Sequence, residues 1–300
     1  MLDRESTFAQ PEIVEMLKTR FVPVAIDQAY QRRQKDTEGD FYRKIAGQGP
    51  RSNFNSTTQG FYIATAGGKL LLYNNNRNPE RVARLMAEKL DEFKKLGADR
   101  AEIAAIESTS IDEKFNPDPP QGGLVVRVHA RILDGYEPTT DKWKAIFQSA
   151  MSRDNLWISA SDHEALARGE VPQALQMRIA KFHLVDNTRG EPPMWSDKEV
   201  RSVSMKLIDG ELTGKVQLET DDGKRGYDAE LLGEVEVENG KVMGFNVVAL
   251  GEFWGEGTYT RGAPEGRFPL GISFTLADGS DVADAIPPQA SRGWVRGYIK

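Results

Sequence analysis

"RGYDAELLGEVEVENGKVMGFNVVALGEFWG", residues 225–255, decides how the second half of the chain is read. Val235 and Val237 alternate with Glu234, Glu236 and Glu238, and Asn239-Gly240 separates this run from a second apolar one. Alternation sends successive side chains to opposite faces of a strand, and Asn-Gly supplies the left-handed pair that a tight hairpin needs. The same scheme appears on either side. "VRSVSMKLID" (200–209) and "ELTGKVQLETDDG" (211–223) meet at Asp209-Gly210, with Leu212, Gly214, Val216 and Leu218 on one face. "FPLGISFTLAD" (268–278) adds a strand before Asp278-Gly279. In "LVVRVHARIL" (124–133), Val125, Arg127, His129 and Arg131 share one face, and Leu124, Val126, Val128 and Ala130 the other. Short helical segments lie between, "DKWKAIFQSAM" (141–151) and the opening of "ASDHEALARGEVPQALQMRIAKFHLV" (160–185), which has Ser161 or Asp162 as its expected cap and is interrupted by Gly169 and Pro172, and from "IAKFHLVD" (179–186) onward the pattern is expected to be mostly strand. Residues 123–300 are therefore expected to form a mostly antiparallel β sandwich or barrel with short helices.

The first third reads differently. "PEIVEMLKTRF" (11–21) is helical by the recurrence of Ile13, Val14, Leu17 and Phe21, with Pro11 in the first turn. "FVPVAID" (21–27) is an apolar run suited to a buried strand, although Pro23 favours an edge or first position. "QAYQRRQKDTEGDFYRKIAG" (28–47) is a second helical segment that Gly39 is expected to loosen or break. After the polar loop "PRSNFNSTTQG" (50–60), "FYIAT" and "KLLLYN" flank Ala-Gly-Gly as a hairpin. In "NPERVARLMAEKLDEFKKLG" (78–97), Asn78 can cap, Pro79 takes the first helical position, and Val82, Leu85, Met86, Leu90 and Phe93 form one stripe.

The order and texture of "FVPVAID", "GFYIATAGGKLLLYN" and "PERVARLMAEKL" resemble the thioredoxin-like family over residues 7–96, about a third of the chain. That resemblance implies an N-terminal thioredoxin-like α/β domain, and with the β-rich part a two-domain α+β chain: residues 1–110, a Pro- and Gly-rich linker at 111–122, and 123–300. It also marks two places. The family's Cys-x-x-Cys corresponds to "QAYQ", Gln28–Gln31, and its cis-proline to "TQG", Thr58–Gly60, where no proline stands. Thiol exchange needs an attacking thiolate, and the chain has no cysteine. The implied module is redox-inactive, with Gln28, Gln31, Arg32, Thr58 and Gln59 as its candidate ligand-binding residues.

Composition narrows the remaining classes. At 39% hydrophobic and 28% charged, the chain reads as folded and soluble. A formal charge of −6 leaves no basic footprint, so no nucleic-acid partner is expected. No apolar run approaches the length of a membrane span. "MLDRESTFAQ" (1–10) lacks a signal-peptide pattern, and a cysteine-free chain suits either the cytoplasm or, after signal removal, an extracytoplasmic place. "TAGGK" (65–69) lacks the phosphate-loop frame, and no cofactor is assigned.

Two constellations are candidates for chemistry. His129, His163 and His183 offer three imidazoles for a metal, without any H-x-H or H-E-x-x-H spacing. Glu252 and Glu256 bracket Trp254, and a carboxylate pair beside an aromatic wall is how glycosidases work. Trp254 is also a candidate ligand-binding residue. Three functions follow. One is a non-catalytic binding or scaffolding protein, whose partner is a protein, peptide or small ligand. Another is a hydrolase or metal-dependent enzyme with its site in the β-rich domain or between domains. The third is peptide binding or assembly through an exposed sheet edge.

Overall fold

The two glycine hairpins form where Asp209-Gly210 and Asn239-Gly240 place them. Both residues of each pair have positive φ, 52° and 84° in the first and 50° and 74° in the second. That is the type I′ geometry, whose twist matches the strands it joins. The computed structural model describes residues 6–97, 102–104, 111–291 and 295–299. The chain divides into two compact units, Asp3–Pro117 and Asp118–Lys300.

In the C-terminal unit, strands β3 (Leu124–Ile132), β4 (Asp154–Ile158), β5 (Val200–Ile208), β6 (Glu211–Glu219), β7 (Gly226–Glu238), β8 (Lys241–Trp254) and β9 (Arg267–Leu276) form one antiparallel sheet in the order β4-β3-β9-β8-β7-β6-β5. The expected sandwich or barrel is thus a single open sheet curled into a half-barrel, with β4 and β5 as its edges. Helices α5 (Lys142–Ser149), α6 (Ala160–Ala167), α7 (Gln173–Phe182) and α8 (Val295–Ile299) accompany it. Alternation fixes which side is dry. Met205, Val216, Tyr227, Leu231, Ala249, Phe253, Phe268 and Ile272 are buried in one core with Leu166, Leu175, Ile179, Trp157 and Trp195. The curl brings backbones unusually close at β7–β8. A Cβ on Gly251 would stand 1.9 Å from the Asp228 carbonyl oxygen, and one on Gly233 would stand 2.1 Å from that of Asn246. Glycine lets the long strands bend there without losing register.

Polar clamps hold the chain end against this core. Arg127 donates to Asp278 and to both oxygens of Asp284, and Arg153 donates to Asp281 and Asp284. Arg178 on α7 is buried and donates to Asp162 and to the carbonyls of Tyr298 and Ile299. The cap of α6 is Ser159, which accepts from the Asp162 amide at 3.1 Å, and neither Ser161 nor Asp162 serves. The helix begins two residues earlier than a Ser161 cap implies, and "IAKFHLVD" (179–186) ends α7 and enters an irregular turn in place of the expected strand.

The N-terminal unit contains α1 (Pro11–Arg20), α2 (Gln28–Gln31), α3 (Thr37–Ala46), the hairpin β1 (Phe61–Ala64) and β2 (Leu70–Asn74), and α4 (Pro79–Lys94). Ile13 of α1 meets Val82, Ala83 and Met86 of α4, with Phe61 and Ile63 packed against them. Asn78 caps α4 and Pro79 opens it. Two expectations fail here. "FVPVAID" pairs with no strand among the described residues: Val22 is 90% exposed and Val24 76%. Its hydrophobicity favoured burial, but β1–β2 pairs only with itself. The segment 28–47 is two helices, and the break is not at Gly39. Asp36 caps α3 by accepting from the Gly39 amide, and Gly39 lies inside the helix, where a Cβ would meet the Gln34 carbonyl oxygen at 2.1 Å.

The end of this unit folds back onto that cap. Asp112 donates its amide to Asp36, and Arg33 stacks 4.7 Å from the centre of the Phe115 ring. Residues 105–110, beside the expected linker, lie outside the described residues. Among the described residues no helix is long and apolar enough to cross a membrane.

Two stability predictions follow from these contacts. Gly251→Ala forces backbone against backbone and is expected to cost roughly 2–4 kcal/mol in urea unfolding, whereas Gly240→Ala, with open space around it, costs only its left-handed strain. Acid acts through the clamp. Hydrogen bonds from Arg127, opposed by burial, hold Asp284 below its usual range, and those from Ser280 and Arg127 do the same for Asp278. A carboxylate depressed in the folded state contributes its full stability above an unfolded pKa of about 3.9 and loses it as pH falls through the folded value. Thermal melts from pH 6 to pH 2 should therefore show stability falling below about pH 4, with a shallower fall in Asp284→Asn.

Candidate functional site

The residues marked at the start of α2 and before the hairpin do meet. Asp27 caps α2 by accepting from the Ala29 amide at 2.8 Å, which sets Gln28 on the first turn. The Gln28 side-chain oxygen accepts from Arg32 at 3.0 Å, from the Thr58 amide at 3.1 Å and from the Thr58 hydroxyl at 3.2 Å. Thr58 is fully buried and shares a 2.6 Å hydrogen bond with the Tyr42 hydroxyl, while Tyr62 donates to its carbonyl at 2.6 Å. Tyr73 donates to the Gln59 carbonyl, and its ring lies edge-on to that of Tyr62. Arg32 also donates to the Ser56 carbonyl, and its Nε is buried without a partner among the described residues. Gln31 ends α2 and joins none of these bonds.

Burial pushes the Tyr42 and Tyr62 phenols up, against hydrogen bonding from Thr58 at Tyr42 and with added repulsion from Tyr42 at Tyr62. Both therefore remain protonated donors near neutrality. The junction holds amide, hydroxyl and guanidinium groups, and can grip a polar group through hydrogen bonds. It has no thiol or imidazole, and its carboxylate, Asp27, is engaged in capping α2.

The paired-carboxylate candidates separate. Glu252 is exposed on β8 opposite Asp228, with Arg267 3.9 Å away. Glu256 lies beyond the strand end, where one oxygen accepts from the Gly262 and Ala263 amides and stands 3.7 Å from Arg189. Trp254 packs over Gly226, donates its indole N–H to the Gly223 carbonyl and carries the Arg267 guanidinium 3.8 Å from its ring centre. A shallow, solvent-open recess borders it, with Lys224, Gly255, Gly266 and Arg267.

The histidines are each held by a different element. His129 lies on β3, opposite Ser273. His163 on α6 bonds the Gly122 carbonyl and accepts from the Val242 amide. His183 caps α7, with Nε2 2.6 Å from the Tyr298 hydroxyl and Nδ1 3.4 Å from Asp154. Among the described residues no group of three or more His, Cys, Asp or Glu is placed to hold a metal ion. The Asp154–His183–Tyr298 chain has the order of a proton relay, but His183 and Tyr298 are buried and burial pushes the Tyr298 phenol far up. It ties α8 to β4 and to the end of α7.

The sequence reading missed a buried polar turn. Residues 183–189 are all buried yet form neither helix nor strand. Asp186 accepts from the Thr188 amide and hydroxyl and pairs with Arg189, which also donates to the Thr260 carbonyl. The Tyr136 hydroxyl is buried beside them. Burial pushes its phenol up to about 12, Arg189 draws it down, and Asp186 and Glu256 raise it. A buried irregular segment is uncommon because its backbone and side-chain polar groups must all find partners. "VDNTRG" has the composition of a surface loop, so nothing in its local pattern signals this burial.

No protein-family model matches the chain, and neither a curated protein nor a solved structure does.

Tyr298→Phe leaves the His183 Nε2 without its hydroxyl partner and is expected to destabilise the C-terminal unit by about 1–3 kcal/mol in denaturant unfolding.

Proposed function

We propose that this chain is a non-catalytic binding or scaffolding protein whose N-terminal unit is a redox-inactive module of thioredoxin-like type. The observation that carries the reading is the Gln28–Thr58 junction. The two places that the family resemblance marks, the start of α2 and the loop before β1, are joined by direct hydrogen bonds. The hairpin β1–β2 followed by the packing helix α4 adds support. Where the family holds an attacking thiol, this chain holds a neutral amide already engaged by three donors. Such a junction recognises polar groups and has no nucleophile with which to transform them. The unpaired "FVPVAID" segment departs from the family arrangement.

A hydrolase reading has one observation in its favour. The half-exposed Glu256 stands beside the buried Arg189 and Tyr136, a carboxylate with a cation and a proton donor nearby. Its metal-dependent form lacks a ligand set among the described residues.

Installing the missing thiols tests the module. Gln28→Cys/Gln31→Cys is expected to close a disulfide on mild oxidation and to accelerate the reduction of insulin by dithiothreitol. Thiols that stay free under oxidant would remove the thioredoxin-like reading. For binding, ¹⁵N spectra of the native chain titrated with extended peptides should show shifts centred on Gln28, Arg32 and Thr58 with the peptides unchanged in mass. Cleavage of a peptide, abolished by Glu256→Gln, would replace this reading with the hydrolase.

A further inference from the structure

We propose that the solvent-facing side of the seven-stranded sheet is a self-association surface that pairs with the same surface of a second copy of this chain. The proposal goes beyond the Gln28 junction and uses none of its residues. The face opposite the helices ought to be polar, as in antiparallel sheets that bury one side only. Instead Leu133, Leu232, Val248 and Leu250 are 53%, 60%, 47% and 52% exposed. They are neighbours. Leu232 pairs directly with Val248, Leu250 follows Val248 on the same face, and Leu133 covers Gly271, the partner of Leu250 across β8–β9. A contiguous aliphatic stripe over β7, β8 and β9 marks an interaction site rather than scattered surface residues.

The charges at its ends select the occupant. On β6–β7, Glu211 lies directly opposite Glu234, a cross-strand pair of like charges that costs stability in the isolated chain. Neither has an ion-pair partner among the described residues, whereas the neighbouring Glu230 is paired with Lys215 at 2.8 Å. At the opposite end, Arg131 on β3 is exposed and has no ion-pair partner among the described residues.

Their positions are related through Val248. Following the register, Arg131 pairs with Gly271, which pairs with Leu250: two strands from β8 and one same-face row above Val248. Glu211 pairs with Glu234, which pairs with Asn246: two strands away on the other side and one row below. The apolar centre thus carries opposite charges at equal and opposite offsets. A two-fold axis lying in this face and passing over Val248 sets each copy's Arg131 on the other's Glu211 and Glu234 and meets aliphatic with aliphatic. That is the self-complementarity an isologous interface requires. A partner of another kind needs no such antisymmetry.

The absence of cysteine makes the test clean. Val248→Cys lies on the axis, so the full chain carrying it is expected to form an intermolecular disulfide under mild oxidant, while Thr213→Cys, exposed on the same face, remains largely monomeric. Sedimentation velocity of the native chain should show a concentration-dependent dimer, weakened at least tenfold by Leu232→Ser/Val248→Ser. Arg131→Glu alone and Glu211→Arg/Glu234→Arg alone should each weaken it, and their combination should restore it. Circular dichroism and melting temperature identify any variant that fails to fold, and Arg131→Glu, at an exposed position, keeps the test open in that event. A monomer at about 100 μM, a dimer indifferent to these substitutions, or a charge swap without rescue would each overturn the proposal.

Discussion

Every element of the C-terminal unit answers to one requirement, that one face of a curled antiparallel sheet stay dry. Side chains alternate with a period of two, so a slip of one residue in any strand would carry its whole inward row into water and its charged row into the core. The rows run across the strands without interruption. Leu231 lies opposite Ala249, Ala249 opposite Ile272, and Ile272 opposite Ala130. The type I′ turns at residues 209–210 and 239–240 fix the register at one end, and the glycines at 233 and 251 let the strands curl while keeping it. Helices α6 and α7 then close the dry face with Leu166, Leu175 and Ile179.

That dry interior makes the buried charges informative. Arg178 with Asp162, and Arg189 with Asp186, are ion pairs whose side chains are almost wholly removed from water. Such pairs gain little net stability over well-packed apolar residues, but losing one partner is costly because the other charge remains buried. Here their hydrogen bonds reach distant backbone. Arg178 holds the carbonyls of residues 298 and 299, and Arg189 holds that of Thr260. The charges therefore specify where irregular segments and the chain end must lie, which nonpolar packing alone defines less sharply. The same use of polar groups recurs in the N-terminal unit, where Asp36 caps α3 and receives the amide of Asp112.

Part of the candidate site was visible in local pattern and part was not. Gln28, Arg32 and Thr58 were reached through a family resemblance in element order, and the fold brings them into direct contact. Glu252 and Glu256 are close in sequence, yet the strand ends between them, so one lies on the outer sheet face and the other turns toward Arg189. The histidines carried no spacing signal and are distributed over β3, α6 and the end of α7. Asp186 and Arg189 were passed over because burial of a loop depends on what covers it, and the covering residues Tyr136 and Thr260 come from far along the chain.

The sequence by itself determined strands β1 to β3 and β5 to β9 and two of their turns, because alternation and Asp-Gly or Asn-Gly chemistry act between neighbours in the chain, whereas β4 has no such signal around it. It likewise determined the cap and first turn of α4, through Asn78 and Pro79. Only the tertiary structure decided that the strands make one half-barrel instead of two packed sheets, since that depends on which strands share an edge. It also decided that the apolar run at 21–27 stays in water while the polar turn at 183–189 does not. Hydrophobicity states what a segment gains by burial. Whether a partner exists to bury it, or to satisfy its polar groups once buried, is settled by residues distant in sequence, and local pattern carries no record of them.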